Sequence, residues 1–233
     1  MSERKSSVIV GGSGGIGLAV AAALAARGEK VVVTSRDAAR AAAAAAKIGG
    51  DATGAAIDLA EPQTIAAALA AIGPVDHLAL LANERDRNTV KDYNVGGAIR
   101  AATVKLVGYV EVIHALLPRF AADASVVIFG GQARERPYPG STTITSSNGA
   151  VTTMVRTLAL EIAPTRVNAI HPGIVGDTPA WADNAGVLER NRALTPGGRL
   201  VTTADCVAAA LFLFDNPGVN GANLVVDAGV GLV

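Results

Sequence analysis

The stretch Val8-Ile9-Val10-Gly11-Gly12-Ser13-Gly14-Gly15-Ile16-Gly17 limits what this chain can become more than any other part of it. A β-branched run suits a buried strand, the glycine cluster a tight turn, and the Ala-rich residues from Leu18 to Ala26 a helix. A strand that turns directly into a helix leaves backbone N–H groups and the positive end of the helix dipole at the turn, which favour a bound diphosphate. Gly11, Gly15 and Gly17 are read as places where no side chain stands between the backbone and such a ligand, with Ser13 and Ile16 beside them. Glycines also fill ordinary turns, so the signal rests on their position between strand and helix.

The alternation continues along the chain. Strands are expected at 30–34, 53–57, 76–81, 125–129, 166–170 and 223–226, and helices at 61–72, 98–120 and 142–163. Asp37 can cap a helix that contains the tract from Ala41 to Ala46, and Pro62 suits a first helical turn. Single helices between strands, without hairpin signals, imply parallel pairing with right-handed crossovers. The expected fold is α/β: a Rossmann-type, doubly wound, seven-stranded parallel sheet with helices on both faces, in one domain over 1–233. Residues 83–88 read as a charged loop at the carboxyl ends of the strands, and 172–198 as a lid over the site.

At 233 residues, half of them hydrophobic, the chain can build one sizeable core. A formal net charge of zero gives no electrostatic case for nucleic acid or an anionic membrane. Residues 1–7 are short and polar, which argues against a signal peptide or anchor, and no apolar run is expected to reach bilayer length. One cysteine, Cys206, excludes an internal disulfide and fits a reducing compartment, so the expected location is cytoplasmic. Its apolar neighbours favour a packed thiol over a reactive one.

The glycine spacing G-x-x-x-G-x-G resembles the cofactor loop of the short-chain dehydrogenase/reductase family, with Val10 where that family usually has Thr. Asp58-Leu59, the run from Arg166 through His171-Pro172-Gly173, and Val226-Asp227-Ala228-Gly229 extend the resemblance over nearly the whole chain. It implies adenine contact at Asp58 and Leu59, and a nicotinamide side formed by Pro172, Gly173 and Thr178. Asn83 stands near the family's N-N-A-G turn, which the sequence does not reproduce. Ser35 and Arg36 follow the second strand where NAD-preferring members carry an acidic residue, so a hydroxyl and a guanidinium there suit a 2′-phosphate and NADP(H). The family's pairing of long helices implies a homodimer or homotetramer.

The family's Asn, Ser, Tyr and Lys positions fall here on Lys105, Gly131, Ile144 and Asn148. Asn and Lys have traded places, so an ammonium from the fourth helix could land near its usual location. A solvent-seeking lysine is the competing reading. The candidate catalytic residues are therefore Lys105, Asn148 and Tyr138, the last in the loop between the Ser and Tyr positions together with Gln132. His77 and His114 sit among apolar neighbours and read as packed or surface residues, while His171 could border the pocket. Glu84, Asp86 and Asp92 alternate with Arg85, Arg87 and Lys91, a self-paired charged loop rather than a metal site. Three functions stay open on a small-molecule substrate or ligand: an NADP(H)-dependent oxidoreductase with altered acid–base groups, a non-redox lyase, isomerase or cyclase, and a cofactor-binding sensor without turnover.

Overall fold

A computed structural model describes residues 4–233, so residues 1–3 of the polar N-terminal segment lie outside the described residues. The strands are β1 Ser6–Val10, β2 Lys30–Ser35, β3 Thr53–Ala56, β4 Val75–Leu80, β5 Phe120–Phe129, β6 Arg166–Pro172 and β7 Asn223–Val226. They form one seven-stranded sheet in the order β3-β2-β1-β4-β5-β6-β7, parallel throughout. The helices are α1 Gly15–Ala26, α2 Ala38–Ile48, the short α3 Ile65–Ala68, α4 Val95–Arg119, α5 Thr142–Glu161, α6 Ala185–Leu194 and α7 Thr203–Asp215.

Alternate strand residues serve the two faces, as the strand period of two requires. Val8, Leu78 and Val126 pack under α3, α4 and α5, while Ile9, Ala79 and Val127 pack under α1, α2 and α7. The alanine tract of α2 works through close approach rather than bulk. It buries only Ala41, Ala44 and Ala45, and a Cβ added at Gly54 of β3 would lie 2.5 Å from the Ala41 carbonyl carbon. Asp37 caps α2, its Oδ1 accepting from Arg40 N at 2.7 Å.

Three expectations are corrected. The fourth helix begins at Val95, because Asn94 Oδ1 accepts from Gly97 N at 2.9 Å and caps it. It ends in the turn Leu117–Arg119, and Phe120 already belongs to β5, paired with Val75. Residues 61–72 hold only the turn Pro62–Thr64 and α3 rather than a full helix. Pro172 closes β6 instead of opening the lid, whose later part contains the turn Pro179–Trp181 and α6.

Contrary to the sequence expectation, α4 is long and apolar enough, at 25 residues, to cross a membrane by length and composition. Its inner face nevertheless packs on the sheet through Ala98, Ala101, Val104, Tyr109, Val112 and Leu116. Between Thr103 and Gly108 it widens into a π-helical turn that carries Lys105.

At the amino ends of the strands, remote from the glycine turn, lies a buried polar cluster. Ser7 donates to Glu29, and His77 Nδ1 lies 3.0 Å from Glu29 Oε2 while its ring stacks on Phe214. Burial alone would raise the Glu29 carboxyl pKa, but the hydrogen bonds with His77 and Ser7 outweigh it and hold the group below 4.5. A depressed carboxylate stabilises the fold above its unfolded pKa, and that contribution fades as pH falls through the folded value. Glu29→Gln should therefore cost about 1–3 kcal/mol at neutral pH. Urea unfolding at neutral pH and below pH 4.5 should show the gap between wild type and variant closing with acid.

Candidate functional site

The carboxyl ends of β1, β2, β4, β5 and β6 converge on one end of the sheet, and β1 sets the geometry there. Val10 O accepts from both Leu81 N and Ala82 N, at 2.8 and 3.1 Å, which draws the turn after β4 against the glycine loop. Gly11 has φ +87, and a Cβ on it would lie 2.6 Å from Ala82 N. A Cβ on Gly17 would collide with the Gly11 carbonyl oxygen. These two glycines are thus required by packing inside the protein, not by a ligand. The open space is over Gly14 and Gly15, where an added Cβ meets nothing within 4 Å. The start of α1 has no side-chain cap, so its first N–H groups are available to an anion.

At the end of β2, Ser35 is half-buried and the Arg36 side chain is largely exposed, with one long contact of 3.5 Å to Glu84 Oε2. Glu84 is held more firmly by Arg100 Nε, at 2.9 Å, and Arg100 Nη2 reaches Asp58 Oδ2 at 3.0 Å. Burial would raise the Asp58 pKa, but the Ala60 N–H and Arg100 hold it below its ordinary value. Asp58 therefore stands as the end of an Arg36–Glu84–Arg100–Asp58 chain, with Leu59 buried beside it and Asn83 exposed at the turn. Neither Arg100 nor Glu84 was singled out from the sequence. The contact joining Arg100 to Asp58 spans 42 positions, and no local pattern announces it.

On the other side of the β1–β4 junction, Lys105 is buried, 3% exposed, and does not seek solvent. Its Nζ donates to Phe129 O at 3.1 Å and to Asn148 Oδ1 at 3.2 Å, and it lies 5.8 Å from the centroid of the Tyr109 ring. No carboxylate pairs with it among the described residues. Burial, with a further push from Arg85, lowers its pKa from 10.5 to about 7. Asn148 Nδ2 donates to no protein group among the described residues and is not sealed from solvent.

Gly131 is part of the same arrangement. A Cβ on Gly131 would lie 2.8 Å from Asn148 Nδ2, so the bare backbone there makes room for the amide. Gly131 N in turn donates to His171 Nδ1 at 3.4 Å, and His171 Nε2 lies 2.8 Å from Asn223 Oδ1. Burial outweighs that hydrogen bond, and the His171 pKa falls to about 4, leaving the ring neutral near pH 7. His171 borders the site from below and fixes its floor.

Ile144 is buried and offers no hydroxyl. It lines a cavity of about 430 Å³ with Tyr138, Arg85, Arg87 and Trp181. The Tyr138 side chain is half exposed at the rim, and Gln132 is turned away onto Asp227 Oδ2 at 2.9 Å. Thr178 Oγ1 donates to Val175 O at 2.9 Å, and Gly173 N donates to Val226 O at 2.9 Å, which ties the start of the segment after Pro172 to β7. Cys206 is a core thiol, raised by burial to about 12. Among the described residues no group of His, Cys, Asp or Glu could hold a metal ion.

A family model described as enoyl-(acyl carrier protein) reductase matches residues 11–231. The chain is 30% identical over 236 residues to a 3-oxoacyl-[acyl-carrier-protein] reductase of Bos taurus, covering 98% of each chain. It is 32% identical over 219 residues to an inactive 2-(S)-hydroxypropyl-CoM dehydrogenase 2 of Xanthobacter autotrophicus, covering 87% of this chain and 95% of that one. A solved structure described as a short chain dehydrogenase/reductase family protein superposes with a TM-score of 0.89 at 29% identity, with all of both chains covered. With its sheet order, its glycine turn and these matches in agreement, the chain belongs to the short-chain dehydrogenase/reductase superfamily, whose members are nicotinamide-dependent oxidoreductases.

Proposed function

We propose that the protein is an NADP(H)-dependent oxidoreductase in which Lys105 and Asn148 stand as an exchanged pair for the family's Asn and Lys. The observation that carries the reading is the buried contact of 3.2 Å between Lys105 Nζ and Asn148 Oδ1, with the Asn148 amide in the room that Gly131 leaves. Gly14, Gly15, Ser13 and the first turn of α1 would hold the diphosphate, and Ser35 with Arg36 the 2′-phosphate. Pro172, Gly173 and Thr178 would flank the nicotinamide. When bound, the cofactor supplies the hydride.

The chain's own residues supply the polar environment. Asn148 presents Nδ2 to the substrate oxygen, the task a Ser hydroxyl performs in the family. Lys105, itself buried, places a positive charge directly behind that amide and polarises it. Ile144 gives no proton, so the proton comes from water or from the Tyr138 hydroxyl at the rim. This favours substrates that need no strong acid, such as an iminium or a conjugated enone.

The exposed apolar residues Val95, Ile99, Val107 and Val110 on α4 support assembly into a homodimer or homotetramer. Light scattering at micromolar concentration checks this, and a monomer would overturn it. NADPH consumption over a panel of carbonyl, enone and imine compounds tests the activity. Arg36→Ala should weaken NADPH about tenfold or more and leave NADH nearly unchanged, since one charge-assisted contact is lost. Glu84→Gln, by releasing Arg36, should tighten NADPH, and titration of both cofactors reads both effects. Lys105→Met should lower kcat about a hundredfold while folding persists.

The wild-type reduction rate should fall as pH rises through about 7, where Lys105 loses its charge, and the variant's profile should be flat there. Stability moves the opposite way. Between about 7 and 10.5 the unfolded chain binds more protons at this lysine than the folded one, so urea stability should climb with pH in wild type relative to Lys105→Met.

A further inference from the structure

The cavity at Ile144 is lined by two arginines, Arg85 and Arg87, and a single carboxylate, Asp86. None of the three makes an ion pair among the described residues, so the wall carries a net positive charge. The acidic residues of the loop do not cancel both cations. Asp86 accepts from Asn88 N and Asn88 Nδ2 at 3.1 and 2.9 Å, and Glu84 turns away to Arg100 and Arg36. The loop itself is pinned. Asn88, 3% exposed, donates to Asn94 O at 2.9 Å and accepts from Asn94 N at 2.8 Å, and Arg87 is held at φ +55, a region non-glycine residues rarely occupy.

Across the cavity, Trp181 comes from the turn Pro179–Trp181, and the Arg85 guanidinium carbon sits 5.7 Å from its ring centroid. Two arginines on a pinned loop, one with its guanidinium against an indole, and a buried aliphatic side chain in the same wall match a ligand with one anionic end and a flat apolar body. We infer that the substrate of this site bears an oxyanion group, a carboxylate, sulfonate or phosphate, which Arg85 and Arg87 bind while its apolar body lies on Trp181 and Ile144. The inference rests on reading this end of the sheet as the reaction site, and it names the substrate class for that reaction.

Trp181 is the single tryptophan of the chain beside three tyrosines, so emission excited selectively at the tryptophan absorption edge reports on this cavity. Titrating the full-length protein with phenylacetate, benzylsulfonate, benzylphosphonate and the neutral phenylacetamide compares different heads on one body. At least one anion should give a saturable fluorescence change and bind about tenfold or more tightly than the amide, the factor one charge-assisted hydrogen bond supplies. The tightest of the three identifies the oxyanion. Arg85→Gln and Arg87→Gln should each erode that preference, while Arg85→Lys, which keeps the charge, should retain much of it. Equal binding of the amide, no saturable change with any probe, or an anion preference that survives both glutamine variants would overturn the inference.

No cofactor or turnover enters this measurement. Anion binding in a protein that does not consume NADPH would sink the redox reading and leave the pocket assignment standing. NADPH-dependent turnover without anion preference would do the reverse.

Discussion

The double acceptance by Val10 O, from Leu81 N and Ala82 N, is the contact on which the functional end of the molecule depends. It brings backbone against backbone at Gly11 and Ala82, and such closeness tolerates no side chain at Gly11 and none at Gly17 behind it. The turn after β4 therefore cannot drift from the glycine loop. Ala82 O in turn accepts the Tyr109 hydroxyl at 2.6 Å, which anchors α4 to the same junction. Lys105 lies over that tyrosine ring, so its position follows from the first contact through two rigid steps.

Lys105, Asn148, Gly131 and His171 fit one another as a connected set. Lys105 needs an acceptor, and Asn148 provides one where a second lysine would repel it. The amide of Asn148 needs room, and Gly131 gives it; the Gly131 N–H needs a partner, and a neutral His171 accepts it. Each residue is explained by its neighbour.

Much of the fold was legible because the chain declares it locally. β-branched runs mark β1, β2 and β6, the glycine turn marks the first crossover, and Asp37 marks the start of α2. What failed locally failed for physical reasons. Phe120-Ala121-Ala122-Asp123 has weak strand preference; Phe120 pairs with Val75 of β4, and the register then shifts before Ser125 pairs with His77. Asn94 was passed over as a cap. At the site, the contacts that join Lys105, Asn148 and Gly131 were not legible in the sequence. Nothing near Gly131 in sequence points to His171, and nothing near Glu84 to Arg100. Arg85 looked like one member of an alternating charged loop until folding set it against Trp181.

The widened turn in α4 has a consequence for how this helix can vary. Its buried residues advance by three from Ala98 to Ala101 to Val104, and then by four from Val104 to Gly108, Val112 and Leu116. The change of step falls at Lys105, where the wide turn accommodates it. A wide turn of this kind takes up one residue more than a regular turn, so removing a residue there would close it and leave the two halves of the helix in phase. Removing one elsewhere in α4 would turn one half about 100° against the other, and either the small amino-half face or Tyr109 and Leu116 would swing off the sheet. Within this helix, a change of length is accommodated at the wide turn.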